Sequence, residues 1–230
     1  PEIRLFRQVE LCPLEALIMD ALKQRYPEAF HAAEVAAAGA RGAMQPFVLA
    51  FCDELGFYLK YLDFMDLMRG RGFAFTYPEF GGTKVEGLYD LALAACAEGE
   101  DVVPNDFALA PHELGAVITG ANQGGKTTFA RAYGQAALLA GLGLPVPARR
   151  ARVPAYAMVL AQFSEPEDSG IDNGKLKQEL IRLKPILEQA DGYSLVILNE
   201  LFSSTTDRDA TELGNRVLRR LMDAGAHVIY

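Results

Sequence analysis

Two groups of residues in this 230-residue chain have the types and spacing of a phosphate-handling site. The first is the run Thr119-Gly120-Ala121-Asn122-Gln123-Gly124-Gly125-Lys126-Thr127-Thr128, which fits G-x-x-x-x-G-K-[ST] with Gly120, Gly125, Lys126 and Thr127 in the fixed places. The pattern's chemistry follows from its composition. Glycines let backbone N–H groups close around phosphate oxygens, and the start of a helix adds partial positive charge. Lys126 is then the mobile cation for β- and γ-phosphates, and the Thr127 hydroxyl is a position on Mg²⁺. The second group is Asn199-Glu200, at the end of the apolar run Tyr193–Leu198. A buried strand that delivers polar residues at its C-terminal end can place a metal-associated group and a water-polarising carboxylate beside a triphosphate. Ligands of open α/β sheets sit beyond the carboxyl ends of the strands, so Glu200 and the glycine loop are expected to share one crevice. Asn199 stands where a metal-associated Asp is expected; its amide oxygen accepts from a Mg²⁺-bound water but brings no charge.

These groups need elements to hold them. Leu114–Ile118 before the loop reads as a short buried strand, and Lys126 onward reads as a helix. Strands are expected near 83–88, 114–119, 155–162, 193–198 and 226–230, and helices near 126–141, 175–190 and 208–224. Such alternation predicts an α/β sheet with helices on both faces. The first 72 residues read differently. Residues 13–38 are rich in Ala, Leu and Glu, divided at Pro27, and broken at Gly39 to Gly42. Gln45 to Met68 then forms one long helix, with Phe47, Leu55, Tyr58, Leu59, Leu62 and Met65 at spacings that predict a packed apolar face. Gly70-Arg71-Gly72 ends it, and Phe73–Tyr77 is expected to open the second domain as a strand. The domains are thus 1–72, all helical, and 73–230.

Composition narrows the class. Half the residues are hydrophobic, enough for a substantial core. No apolar run reaches membrane-spanning length and no signal-peptide pattern is present, so a cytoplasmic protein without membrane partners is expected. Cys12, Cys52 and Cys96, and likewise His31, His112 and His227, are scattered without metal-ligand or disulfide spacing. The net charge is −8, and the acidic excess lies in the first 110 residues. Arg149-Arg150-Ala151-Arg152 is the densest basic stretch and reads as a solvated loop between helix and strand, so this segment lacks the basic cluster of a DNA-binding surface. The chain stops at Ala226–Tyr230 inside an expected strand, which predicts a piece of a longer protein.

At these residues the chain resembles the MutS family of DNA mismatch-repair ATPases, within the wider ABC-type ATPase class. T-G-x-N-x-G-G-K-[ST]-T is that family's own version of the glycine loop, and Thr119–Thr128 follow it with Asn122 in place. Val103-Pro104-Asn105-Asp106 is similar to the family segment whose Asn lies beside adenine. Val146-Pro147-Ala148, Tyr77-Pro78-Glu79-Phe80, and Ser203-Ser204-Thr205-Thr206 with Asp209 resemble further family fragments, the last a loop that crosses the dimer interface. The resemblance covers roughly residues 73 to 230. It implies a P-loop NTPase fold preceded by the lower end of a lever helix, with ATP and Mg²⁺ as cofactors. The phosphates would lie against Gly120, Ala121, Asn122, Gln123, Gly124, Gly125, Lys126, Thr127 and Thr128, with adenine beside Asn105. Thr127 and, through water, Asn199 would attend the metal, while Glu200 and Lys126 carry catalysis. A homodimer through the ATPase domains and DNA contacts through segments outside this chain are implied too. Three departures stand out: Asn199 for Asp, Val102 for a common aromatic near the adenine, and Asp172-Asn173-Gly174-Lys175-Leu176 with Glu179 for the signature loop. They leave open a second reading, a nucleotide-gated binding module with negligible hydrolysis that acts on other nucleic-acid or ribosomal partners.

Overall fold

The computed structural model describes residues 13–42, 46–97, 102–163, 175–202 and 205–230. Its contacts divide the chain into two units that meet between Lys60 and Tyr61, inside the long helix α3 (Pro46–Gly70).

The first unit holds α1 (Pro13–Arg25), α2 (Pro27–Gly42) and the start of α3. The division at Pro27 is as expected, because proline's missing N–H suits a first helical turn. The glycines at 39 and 42 do not end α2 early, since it runs to Gly42. The expected apolar face of α3 is only partly realised. Leu55 and Leu59 are exposed, whereas the buried positions are Tyr61, Met65 and Met68, all in the second unit. Helical spacing identifies the helix but not which stripe meets a neighbour.

The second unit contains two four-stranded sheets. One has the order β1 (Glu79–Phe80), β5 (Arg150–Val153), β2 (Lys84–Leu88), β3 (Asn105–Ala108) and mixes parallel and antiparallel pairs. The other is wholly parallel in the order β4 (Gly115–Ala116), β8 (His227–Ile229), β7 (Ser194–Leu198), β6 (Met158–Gln162). β7 is buried at every position, which is why Ser-Leu-Val-Ile-Leu is continuous rather than alternating. β4 is short by its paired residues, but Ile118 N–H still donates to the Tyr230 carbonyl (2.6 Å). Three short elements escaped the sequence reading: β1, β3 and the helix α4 (Leu91–Cys96). So did β5, and there the expectation of a solvated loop is overturned. Arg150-Ala151-Arg152-Val153 alternates exposed and buried, the period of a half-buried strand. Conversely, Phe73–Tyr77 forms no strand; one bridge from Thr76 to Val146 stands in its place.

Helix α5 (Lys126–Gly141) packs against both sheets. Its sequence explains how. Ala130, Ala132, Ala136, Ala137 and Ala140 are buried along with Gly134, and small side chains allow close approach. A Cβ at Gly134 would lie 2.5 Å from Cδ1 of Ile197 in β7. Toward the other sheet, Phe107 of β3 meets Phe129 and Tyr133 edge to face. Helices α6 (Lys175–Gln189) and α7 (Asp207–Asp223) cover the parallel sheet through Leu183, Ile186, Val217 and Leu221, which pack with Val196, Leu198 and Phe202. The foot of α3 is tied to this unit as well. Met68 packs with Tyr89 and Ala94, the Tyr61 hydroxyl donates to the Pro145 carbonyl (2.6 Å), and Arg71 donates to the Ala95 and Ala97 carbonyls at the end of α4.

Candidate functional site

The glycine loop lies where β4 gives way to α5. Gly125, the residue before α5, has φ +84, a left-handed conformation that glycine adopts without strain. It has no side chain to accept from the first-turn N–H groups, so those groups face outward at the positive end of the helix. Gln123 also takes a left-handed φ of +64, and Gly124 N–H closes a turn on the Ala121 carbonyl at 3.0 Å. A Cβ on Gly124 would come 2.9 Å from that carbonyl oxygen, so the loop can be this tight only with glycine there. Lys126 folds back over the loop, its Nζ donating to the carbonyls of Gly120 (2.8 Å) and Ala121 (2.9 Å). This holds the ammonium over the cradle.

Asn199 and Glu200 follow β7 and arrive at the same place. Asn199 N–H continues the sheet by donating to the Gln162 carbonyl (2.9 Å). Its side-chain Oδ1 accepts the Thr127 hydroxyl proton at 3.1 Å, which leaves the lone pairs of that hydroxyl oxygen facing away from the amide. Glu200 has φ +51, uncommon for a residue with a side chain and frequent at functional sites. It lines a cleft of about 200 Å³ with Asn122, Gln123, Gly125, Lys126, Thr127 and Thr128. It also lines an adjoining cleft with Thr119, Lys126, Asn199 and the ends of β4, β7 and β8. The carboxylate, the ammonium and the Thr127 hydroxyl therefore share one crevice beyond the carboxyl ends of parallel strands. Among the described residues no group of three His, Cys, Asp or Glu could bind a metal by itself. A Mg²⁺ ion fits such a site mainly through phosphate oxygens and water, which this crevice leaves room for.

The other expected positions fall elsewhere. Asn105 begins β3, is exposed, donates to the Val103 carbonyl (3.3 Å), and lines neither cleft. Its neighbour Asp106 accepts from Gly87 N–H (2.7 Å) at the irregularity of β2, a structural task. Val102 packs against the Met68–Tyr89 cluster. Thr206 caps α7 by accepting from Asp209 N–H (3.3 Å) while donating to the Asp209 carboxylate (2.8 Å). Asp172, Asn173, Gly174, Ser203 and Ser204 lie outside the described residues. Two polar groups went unnoticed in the sequence. Asp90 is buried, caps α4 and pairs with Arg131 of α5 at 2.9 Å, so it fixes α4 against the glycine-loop helix. Gln162 ends β6 with its side-chain oxygen buried and without a hydrogen-bond partner among the described residues. No short motif marks either one.

A glycine loop between a parallel strand and a buried helix, with a carboxylate facing it from the end of β7, one strand removed across β8, defines a P-loop nucleotide-binding fold. Residues 116–230 match MutS domain V, an ATPase domain, and the chain belongs to the MutS family. It is 36% identical over 129 residues to the DNA mismatch repair protein MutS of Natronomonas pharaonis, covering 56% of this chain and 15% of that protein. The MutS of Paracoccus denitrificans is 32% identical over 167 residues, which is 69% of this chain and 19% of that protein. Endonuclease MutS2 of Thermus thermophilus is 30% identical over 172 residues, 73% of this chain and 22% of that protein. The chain thus spans about a fifth of the length of these relatives or less. Among the described residues no helix is long and apolar enough to cross a membrane.

Proposed function

We propose that this chain binds ATP with Mg²⁺ and hydrolyses it, as the nucleotide switch of a dimeric MutS-related protein that acts on mismatched or branched DNA. The observation that carries the reading is the single crevice shared by Lys126, Thr127 and Glu200. Lys126 leaves its two carbonyl partners for the terminal phosphates, exchanging neutral acceptors for charged ones. Loop N–H groups from Gly120 to Thr128 hold the phosphate tail, and the exposed Asn105, outside both phosphate clefts, borders the adenine beyond them. Thr127, oriented by Asn199, offers its oxygen to the metal. Glu200 orients the attacking water and accepts its proton as the bond to the γ-phosphate breaks. Mg²⁺, when bound, neutralises charge between β- and γ-phosphates. Sites of this kind act by placement and electrostatics rather than covalent chemistry, so losing one aimed carboxylate costs about two to four powers of ten.

Single-turnover hydrolysis with the full protein tests this. Glu200→Gln keeps ATP affinity within about threefold and lowers the rate at least about 100-fold. An unchanged rate removes Glu200 from its role. The uncharged Asn199 favours a second reading, a nucleotide-gated module with negligible turnover. Tight ATP binding by the wild-type protein without phosphate release decides for that one.

A further inference from the structure

Helix α4 has six residues, too few to be stable on its own hydrogen bonds, and both of its ends draw on side chains from other elements. At its start, the Leu91 N–H donates to Oε1 of Gln135 in α5 (2.8 Å), and the Leu93 N–H donates to Oδ1 of the capping residue Asp90 (2.9 Å). The same Oδ1 accepts from Nε2 of Gln135 (3.3 Å). At its end, Arg71, just past α3, donates to the Ala95 carbonyl (3.2 Å) and to the Ala97 carbonyl. Ala94 between them is buried in one cluster with Met68, in the last turn of α3. Helix α4 is thus held at one end by the helix that opens at the glycine loop and at the other by the foot of α3.

We propose that α4 is a strut that couples occupancy of the glycine loop to the foot of α3, with Asp90 as its joint on α5 and Arg71 as its joint on α3. The inference rests on the reading of the loop as an ATP site. The joint at Asp90 is poised rather than closed. The Asp90 side chain is wholly buried, and Arg131 Nε lies 2.9 Å from its Oδ2. Yet that oxygen has no hydrogen-bond donor in line with it among the described residues. A buried carboxylate costs free energy that a full set of bonds offsets, so a turn of α5 that aligns Arg131 is favourable. Arg131 stands five residues beyond Lys126, about 7.5 Å along the helix. Phosphates that draw Lys126 and the first turn of α5 into place therefore move Arg131 with them. Hydrogen bonds of fixed length and direction at both ends of α4 pass that displacement on, where apolar contacts alone would slide. By linkage, the same strut makes the position of α3 a determinant of ATP affinity.

Hydrogen exchange on the full protein, with and without saturating ATP and Mg²⁺, reads the loop (residues 120–128), α4 and the α3 foot (residues 61–70) separately. In the wild-type protein ATP slows exchange in all three, by about fivefold or more at the foot. Asp90→Asn keeps an acceptor for the Leu93 N–H and removes the charge facing Arg131; ATP then protects the loop but neither α4 nor the foot. Arg71→Met keeps the stem and removes the donors; ATP then protects the loop and α4 but not the foot. A merely structural role lowers protection with and without ATP alike and gives no such order. Arg71 is exposed, so its variant keeps the comparison where Asp90→Asn fails to fold. The proposal is overturned if ATP protects the wild-type loop and leaves the foot unchanged, or if it protects the foot of either variant as in the wild-type protein. Failure of the underlying reading is distinct: an ATP titration then shows no binding by the wild-type protein, and the coupling falls with it.

Discussion

At the scale of single residues, the site's distinguishing feature is a missing charge. Asn199 does the geometric part of an Asp's work, because its Oδ1 orients the Thr127 hydroxyl at 3.1 Å, but it contributes no field toward a cation. Two unit charges 4 Å apart near a protein surface attract by about 4 kcal/mol before solvent and ions screen them. Restoring even a third of that makes a tenfold difference in metal affinity. Asn199→Asp still accepts from Thr127 and is therefore expected to lower the Mg²⁺ concentration for half-maximal hydrolysis by about tenfold. A Mg²⁺ titration at saturating ATP measures it, and an unmoved midpoint means that position 199 lies outside the metal's reach. The two motifs were legible because each is local: glycine spacing on one side, a strand ending in Asn-Glu on the other. Their meeting was legible only as a rule about strand ends. The left-handed turn at Glu200 and Phe202 had no such rule, since backbone angles of this kind are invisible in residue types.

At the scale of elements, glycine positions separate contacts that can yield from contacts that cannot. A Cβ at Gly115 in β4 would sit 2.0 Å from the Val228 carbonyl oxygen in β8, which is backbone. A Cβ at Gly134 in α5 would sit 2.5 Å from the tip of Ile197, which can change rotamer. The same substitution should therefore have unequal effects. Gly134→Ala is expected to cost about 1 kcal/mol or less, with helix propensity offsetting part of the overpacking. Gly115→Ala is expected to cost about 3 kcal/mol, because the β4–β8 pairing itself must open. It should weaken ATP binding too, since β4 leads directly into the glycine loop. Urea unfolding of both variants, followed by circular dichroism, checks the order; equal losses would show that β4 gives way as easily as a side chain. The long elements were legible through their apolar periods: α5, α7 and β7 lie within a residue or two of expectation. The short ones were not. β5 was hidden because its exposed positions are both arginine, so charge masked an alternation that placed Ala151 and Val153 in the core.

At the scale of the whole unit, the two sheets are joined by a chain of side-chain hydrogen bonds that passes through α5. It runs from Thr83, just before β2, to Tyr133 (3.2 Å), from Tyr133 to Tyr156 (3.3 Å), and from Tyr156 to Nδ1 of His227 in β8 (2.8 Å). Nothing in the sequence marked this chain, because its members lie far apart and His227 read as one of three scattered histidines. Its physics gives the unit a pH dependence. Burial holds the His227 imidazole below its ordinary value of 6.5, so the unfolded chain takes up that proton first as pH falls. The contribution is complete above pH 6.5 and is lost as pH drops from there through the folded-state value. Glu179 acts in the opposite sense. Burial raises its carboxyl, so its contribution falls as pH rises from the ordinary carboxylate range through the folded-state value. A variant isolates the histidine: His227→Phe keeps a ring in the T-shaped contact with Tyr156 and removes the titrating group. Urea midpoints at pH 7.5 and 5.5 are expected to fall more for the wild-type protein than for the variant. Because the chain contains no tryptophan, the transition can be followed through tyrosine fluorescence, to which Tyr133 and Tyr156 themselves contribute. Parallel pH dependence in the two proteins would place the acid sensitivity outside this chain of bonds and leave the junction of the sheets indifferent to protonation.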